Sequence, residues 1–286
     1  METDKLIRIV NELFVPQLLV FNLCFVYLGM LLAPAYAYSI RTAILLTIAF
    51  VAARSSGVLM NRYMGRAEDL SDEKKVRTML SLKVPKRIVL LLFAVCAAIF
   101  ILSAYLLNWL ALLLVPIPLI FFVVDPIVKR HTSRRHYFLG LIESFDVMGG
   151  YIGAAAAFPS SDLVYLLMLT VIFIGGGFDI MISIRKAKFD KANELKTIAS
   201  TKGVAAALNY SLYSHITASV LLIFFAIISG SYMVMVGSVV ASIFLLAQHI
   251  NVNPKDASGI MGRVAKYNTL AALSMLLSVL TAVLVL

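Results

Sequence analysis

The stretch Ala53–Asp69, ARSSGVLMNRYMGRAED, decides how the chain is organised, because it runs out of a long apolar segment into a cluster of charge. Asn61, Gly65 and Asp69 fall four residues apart, so we expect them to lie along one side of a helix. Polar side chains in this position are typical of a membrane helix that reaches its water boundary. The stretch therefore predicts a polar site at the end of a spanning helix.

A second stretch, Gly177–Asp190, has the same character and reads GFDIMISIRKAKFD. Asp179, Lys186 and Asp190 share a helix face at i, i+7 and i+11. Carboxylate and amide oxygens are suited to Mg²⁺, while Lys and Arg take the remaining phosphate charge. We interpret the two stretches as the two halves of one diphosphate site, with an isoprenoid tail in the apolar interior.

The composition indicates a polytopic membrane protein. Of 286 residues, 61% are hydrophobic and only 14% are charged. The net charge of +10 lies in short segments between apolar runs, which argues against a nucleic acid partner and for the lipid bilayer. No stretch has the composition of a linker, so residues 1–286 are predicted to form a single polytopic membrane domain. With about 20 residues per crossing, nine helices are predicted at 14–34, 42–61, 87–107, 109–128, 137–157, 162–183, 207–229, 231–249 and 267–286.

The basic residues support this count. They lie in the loops after predicted helices two, four, six and eight, whereas the opposite loops carry only Arg41. By the positive-inside rule, the amino terminus and the basic loops are cytoplasmic in a multi-pass protein of the cell membrane. The two long polar loops are four helices apart, which predicts two pseudo-repeated four-helix halves plus one helix, all-α, in a bundle around a central cavity.

Several of these residues carry a family resemblance. GFDI at 177–180, FD at 189–190 and LKTIA at 195–199 resemble a sequence block of the UbiA-type intramembrane prenyltransferases. Ala53–Asp69 is similar to the N-x-x-x-D-x-x-x-D stretch of the 4-hydroxybenzoate polyprenyltransferase-like branch. Lys129-Arg130 resemble its basic pair, and Gln248-His249 with Asn253-Pro254 resemble its closing segment.

The resemblance implies a helical bundle that binds a polyprenyl diphosphate through Mg²⁺ and moves the prenyl group to a small aromatic acceptor similar to 4-hydroxybenzoate. Such an enzyme is a transferase of alkyl groups other than methyl, in quinone or related lipid biosynthesis. Carried over residue by residue, the catalytic and metal-binding positions are Asn61, Asp69 and Asp190. The substrate-binding candidates are Arg54, Arg66, Lys129, Arg130, Asp179 and Lys186.

The chain departs from the family pattern at two positions. Gly65 and Lys186 stand where the motifs have aspartates. Each lost carboxylate removes a magnesium ligand, and a lysine attracts phosphate directly. These losses motivate an alternative hypothesis, a catalytically degenerate member that binds isoprenoid lipid or a membrane partner.

The acidic residues inside the predicted helices leave further alternatives open. Asp125, Glu143 and Asp146 stand where the family has other residue types, and they either rebuild a metal or acceptor site or pair with Lys186 and Arg130. For Arg54 and Asp179, a structural ion pair is as plausible as a substrate contact. Arg134 and Arg135 are interpreted as topology signals.

Overall fold

A computed structural model describes residues 2–14, 19–71, 76–77, 79–253 and 257–285. Within these residues the secondary structure is helical. The helices are α1 (Glu2–Phe14), α2 (Leu19–Leu31), α3 (Ile40–Met64), α4 (Arg66–Ser71), α5 (Lys86–Leu107), α6 (Trp109–Leu114), α7 (Pro116–His131), α8 (Arg135–Ala155), α9 (Asp162–Ser183), α10 (Ala187–Ala192), α11 (Ile198–Lys202), α12 (Val204–Ser229), α13 (Tyr232–Ala247) and α14 (Ala257–Val285).

Local sequence signals set several of these boundaries. The Ser39 side chain accepts a hydrogen bond from the Thr42 N–H and begins α3. The Asn108 side chain accepts a hydrogen bond from the Ala111 N–H and begins α6. Pro116 begins α7 and divides the predicted fourth crossing in two. The last helix begins at Ala257, nearly three turns before the predicted residue 267, because a helix continues into water past the charges that end its apolar run.

Six helices among the described residues are long and apolar enough to cross a membrane, and the bent pair α1 and α2 would make seven. Helix α13 has 16 residues and is shorter than a usual crossing. Helix α8 has 21 residues but carries charged side chains along its length. The all-helical fold is confirmed, whereas the count of nine crossings and the two-halves repeat stay predictions.

Helix α8 lies against α2 and α9 in the centre of the bundle. The main hydrophobic cluster surrounds this contact and draws on α2, α8, α9, α12, α13 and α14, with Phe25, Val147, Leu167, Leu222 and Met275 among its members. Glycines allow the close approach of α2 and α8. A Cβ on Gly150 would overlap the Val26 carbonyl, and a Cβ on Gly29 would overlap the Val147 carbonyl.

We expect Gly150→Ala to destabilise the bundle by about 1–3 kcal/mol, because the added methyl forces α2 and α8 apart. The measurement is thermal unfolding of the purified protein in detergent. The neighbouring Gly149 is a matched control, since a Cβ there would meet nothing within 4 Å. Equal unfolding temperatures for Gly150→Ala and Gly149→Ala would contradict the close contact.

A second hydrophobic cluster lies at one end of the bundle. Met181 and Ile184 at the end of α9 pack against Ile198 and Ala199 of α11 and against Ile260 of α14. Three of the basic segments, those that follow α3, end α7 and follow α9, meet at this end, as the contacts described below show. The cluster packs the segment 187–202 against the bundle. The second polar stretch ends within this segment.

Candidate diphosphate site

The first polar stretch keeps its helical register across the end of α3. The Gly65 N–H donates to the Asn61 carbonyl at 2.9 Å, and the Asp69 N–H donates to the Gly65 carbonyl at 3.0 Å. The three positions therefore stay on one side, as their spacing predicted. Asn61 is exposed, and Asp69 forms an ion pair with Arg62 at 3.3 Å.

Glu68 is the carboxylate next to the missing aspartate at position 65. Its Oε2 atom lies 3.9 Å from the place that a Cβ on Gly65 would take. Its Oε1 atom accepts hydrogen bonds from Arg130 at 2.7 and 3.1 Å, and Lys129 Nζ lies 3.9 Å from Oε2. The sequence reasoning missed Glu68, although it stands three residues after Gly65 and so on the same face of a helix.

The two polar stretches meet. The Ser71 hydroxyl on α4 donates to Asn193 Oδ1 at 3.1 Å, and Asn193 follows Asp190 by three residues. The Lys196 N–H donates to the Lys129 carbonyl at 3.1 Å, which joins the last turn of α7 to the same segment. Basic loops far apart in sequence thus form one polar end of the bundle.

Asp190 is the buried carboxylate of this end. The Leu195 N–H closes the turn on the Asp190 carbonyl at 2.8 Å, and Thr197 begins α11 with a capping box completed by Ser200. Asp190 is 2% exposed. Thr197 hydrogen-bonds its side chain, and the positive charges of Lys129, Lys186 and Arg135 act on it. Its Oδ1 atom is buried without a hydrogen-bond partner.

A buried ionic network lies next to the segment 187–202 and holds it in place. Arg135 Nη1 donates to Asp179 at 2.8 Å, and Nη2 donates to Asp125 at 3.3 Å. His136 Nδ1 lies 2.5 Å from the same Asp179 oxygen, and its Nε2 accepts the Ile198 N–H at 3.3 Å. Since Nε2 is an acceptor, the proton is on Nδ1, which donates to Asp179. Asp179 is thus held in a network that reaches the first residue of α11.

Two members of this network differ from the sequence interpretation. Arg135 is 7% exposed and pairs with two carboxylates, so its interpretation as a topology signal is wrong. His136 was not considered. Both residues stand in a basic part of the sequence, and counting charges does not show which of its cations is buried. A buried arginine needs carboxylate partners, and Asp125 and Asp179 on neighbouring helices provide them.

Arg54 lies apart from this polar end of the bundle. Its Nη1 atom is 3.5 Å from Glu143 Oε1, and nearby Asn22 donates to Asp146 at 3.1 Å. Arg54, Glu143 and Asp146 line a cavity of about 260 Å³ between α2, α3, α5, α7 and α8. Arg54 and Asp179 therefore each form an ion pair within the protein, which was one of the two alternatives for them. Asp125 pairs with Arg135 and Glu143 pairs with Arg54, and these arginines lie on neighbouring helices.

Two candidate phosphate-binding cations, Arg66 and Lys186, and the candidate metal ligands remain to be placed. The Arg66 guanidinium donates to the Leu82 carbonyl, and the Lys186 side chain is exposed. Among the described residues, no three His, Cys, Asp or Glu side chains form a group that could hold a metal ion. Mg²⁺ usually takes one or two carboxylates and completes its shell with water and substrate phosphate. The unpartnered oxygen of Asp190 fits that requirement for an ion shared with a diphosphate.

Comparison with known proteins places this geometry in context. The model of the UbiA prenyltransferase family matches residues 22–270, and no curated protein sequence matches the chain. The apo structure of a UbiA homologue from Aeropyrum pernix K1 is 27% identical, covers 93% of this chain and 97% of its own, and superposes with a TM-score of 0.77.

Two more distant structures share the fold. A UbiA homologue from Archaeoglobus fulgidus bound to DMAPP and Mg²⁺ is 15% identical, with 93% of this chain and 98% of its own covered and a TM-score of 0.70. A structure described as digeranylgeranylglyceryl phosphate synthase is 13% identical, with 99% and 100% covered and a TM-score of 0.68.

Proposed function

The chain belongs to the UbiA prenyltransferase family, and we propose that it transfers a polyprenyl group from an isoprenoid diphosphate to a small aromatic acceptor. In this reaction the bond from the allylic carbon to the diphosphate oxygen breaks, and the diphosphate leaves with the electron pair. The acceptor then bonds to the allylic carbon and loses a proton to water. The products would be precursors of quinones or related lipids, made from a phenol of the 4-hydroxybenzoate type.

One observation carries the proposal: two polar stretches more than a hundred residues apart in sequence meet at one end of an apolar bundle. They present the buried, unpartnered oxygen of Asp190 beside the charges of Lys129 and Lys186, with Ser71 and Asn193 joining the two sides. An anionic head group at this end and an apolar chain in the bundle suit an amphipathic prenyl diphosphate.

The residues of the site have separate tasks in this proposal. Asp190, with Asn61 and Asp69, would hold Mg²⁺, which neutralises diphosphate charge when it is bound. Lys129, Arg130 and Lys186 would contact phosphate oxygens directly, and Arg66 would lie at their edge. Stabilising the departing diphosphate is the main contribution that such fixed charges make to the rate. Asp179 positions the segment and does not contact phosphate.

The location of the protein follows from the same features. The family and the apolar helices indicate a multi-pass membrane protein. We propose that residues 1–286 form one domain in the cell membrane, with the amino terminus and the basic loops in the cytoplasm. The meeting of the loops that carry Glu68, Arg130 and Asn193 supports a common side for them.

A second candidate function rests on Gly65 and Lys186. With these residues in place of aspartates, the chain would bind a prenyl diphosphate or another isoprenoid lipid without transferring it.

The decisive experiment measures binding and product formation with the purified full chain. Geranylgeranyl diphosphate and a non-hydrolysable analogue are supplied with Mg²⁺ or with EDTA. We expect the analogue to bind at least about tenfold more tightly with Mg²⁺, a difference of about 1.4 kcal/mol, and a prenylated phenol to form from the true donor. Binding without product would establish the degenerate alternative. No binding under either condition would overturn prenyl transfer and would also exclude a prenyl diphosphate as the ligand of the alternative.

A further inference from the structure

Glu68 is a charged residue of the polar end to which the proposed function gives no task. It lies on α4, and its side chain is 17% exposed. Its Oε1 atom accepts two hydrogen bonds from Arg130, at 2.7 and 3.1 Å, and its Oε2 atom lies 3.9 Å from Lys129 Nζ. Both cations are candidates for phosphate contact. In the free protein Glu68 therefore neutralises charges that a diphosphate would use.

Glu68 also lies beside the position at which the family motif has an aspartate. A Cβ on Gly65 would be 3.9 Å from Glu68 Oε2 and 3.8 Å from Asn61 Oδ1. Residues 61 and 68 are four before and three after residue 65, so all three share one side of the helical path. Two side-chain oxygens thus converge on the place of the missing side chain. A carboxylate oxygen is kept near position 65 although residue 65 itself supplies none.

Lys129 connects Glu68 with the second polar stretch. Its Nζ atom is 3.9 Å from Glu68 Oε2, and its positive charge also acts on Asp190. Asp190 has a buried oxygen without a hydrogen-bond partner among the described residues. The carboxylates of the two polar stretches are thus neighbours of one cation. Glu68 and Asp190 together match the one or two carboxylates that Mg²⁺ takes beside water and substrate phosphate.

The charges decide what Glu68 does when a diphosphate binds. Arg130 is 54% exposed, and ion pairs at such exposure are weak, so phosphate oxygens can replace Glu68 as its partner at little cost. The Glu68 carboxylate would then stand beside the negative charge of the diphosphate without its own cations, and like charges at close range repel. A divalent cation shared by the carboxylate and the phosphate oxygens removes this repulsion.

We propose that Glu68 takes the part of the aspartate missing at position 65: it pairs with Arg130 and Lys129 in the free protein, and it binds Mg²⁺ when phosphate oxygens take those two cations. This inference rests on the proposed function and deepens it, because it supplies a metal ligand that the motif lacks. The exchange of partners has a measurable sign. Without Mg²⁺ Glu68 opposes the diphosphate, and with Mg²⁺ it strengthens the binding.

The test is titration calorimetry of the purified full chain with the non-hydrolysable geranylgeranyl diphosphate analogue, in Mg²⁺ and in EDTA. The measured quantity is the Kd in EDTA divided by the Kd in Mg²⁺, expected to be at least about ten for the unmodified chain. In Glu68→Gln the analogue should bind more tightly in EDTA and more weakly in Mg²⁺, so the ratio should fall about tenfold. Binding of Mn²⁺ in the presence of the analogue, followed by electron paramagnetic resonance, should weaken in parallel.

Gly65→Asp tests the replacement directly. The backbone at Gly65 has a φ of −82°, which a residue with a side chain adopts readily, and the new Cβ requires a small shift of the Asn61 carbonyl, 2.9 Å away. Added to Glu68→Gln, the substitution returns a carboxylate to the same place and should raise the ratio again by at least about threefold. No recovery in a double variant that unfolds at the temperature of the unmodified chain would overturn the inference.

Glu194→Gln is the matched control, because Glu194 is an exposed carboxylate and the charge changes equally, so the ratio should stay as it is. An unchanged ratio in Glu68→Gln would overturn the inference. Equal weakening in Mg²⁺ and in EDTA would overturn it too, since a purely structural tie between α4 and α7 predicts that result. The expected ratios without any prenylated product would count against the proposed transfer alone. Absence of binding by the unmodified chain would overturn both.

Discussion

Asp190→Asn is expected to lower prenyl transfer on the order of a hundredfold, as the loss of one group that stabilises developing charge commonly does. The substitution keeps the size of the side chain and its hydrogen bond with Thr197, but removes the charge beside the one oxygen of Asp190 that lacks a partner. The amide also makes the neighbourhood of Lys129 and Lys186 more positive. Mg²⁺ should therefore bind more weakly, while the attraction for diphosphate alone should increase.

The measurement is the initial rate of prenylation across a magnesium titration, together with affinity for the non-hydrolysable analogue in EDTA. Glu194→Gln is the control, because Glu194 is an exposed carboxylate in the same segment and the substitution changes charge equally. A rate in Asp190→Asn equal to that of Glu194→Gln would remove Asp190 from the site. It would leave the cations as the sole basis of diphosphate binding.

Arg135→Met is expected to destabilise the fold by roughly 3–5 kcal/mol, since removing one partner of a buried ion pair leaves unbalanced charge in a low-dielectric interior. Here Asp125 and Asp179 both lose their cation. His136 keeps one hydrogen bond to Asp179, which does not replace a charge. The measurement is the unfolding temperature of the purified protein in detergent.

Arg134→Met is the matched control, because Arg134 is the adjacent arginine and is exposed. Its unfolding temperature should remain close to that of the unmodified chain. Adding Asp125→Asn to Arg135→Met should recover part of the loss, since one orphaned charge is then removed. Equal effects of Arg134→Met and Arg135→Met would mean that the network does not contribute to stability.

The amino-acid sequence determined the fold class and most helix positions. Apolar runs of about 20 residues have one stable form in lipid, because every backbone N–H and C=O must be satisfied within the segment. For this reason the predicted crossing 162–183 coincides with α9, and 87–107 differs from α5 by one residue. The four-residue spacing of Asn61, Gly65 and Asp69 likewise predicted their common side.

Tertiary structure alone decided which charges lie exposed at the polar end and which are buried in ion pairs. Arg134 and Arg135 are neighbours in sequence, yet one is exposed and the other is buried between two carboxylates. Arg54 lies within the first polar stretch but contacts Glu143, eighty-nine residues later, and borders a separate cavity. Spacing fixes the face of a helix on which a side chain lies. The partner that meets that face comes from another helix, and only the packing of the bundle brings the two together.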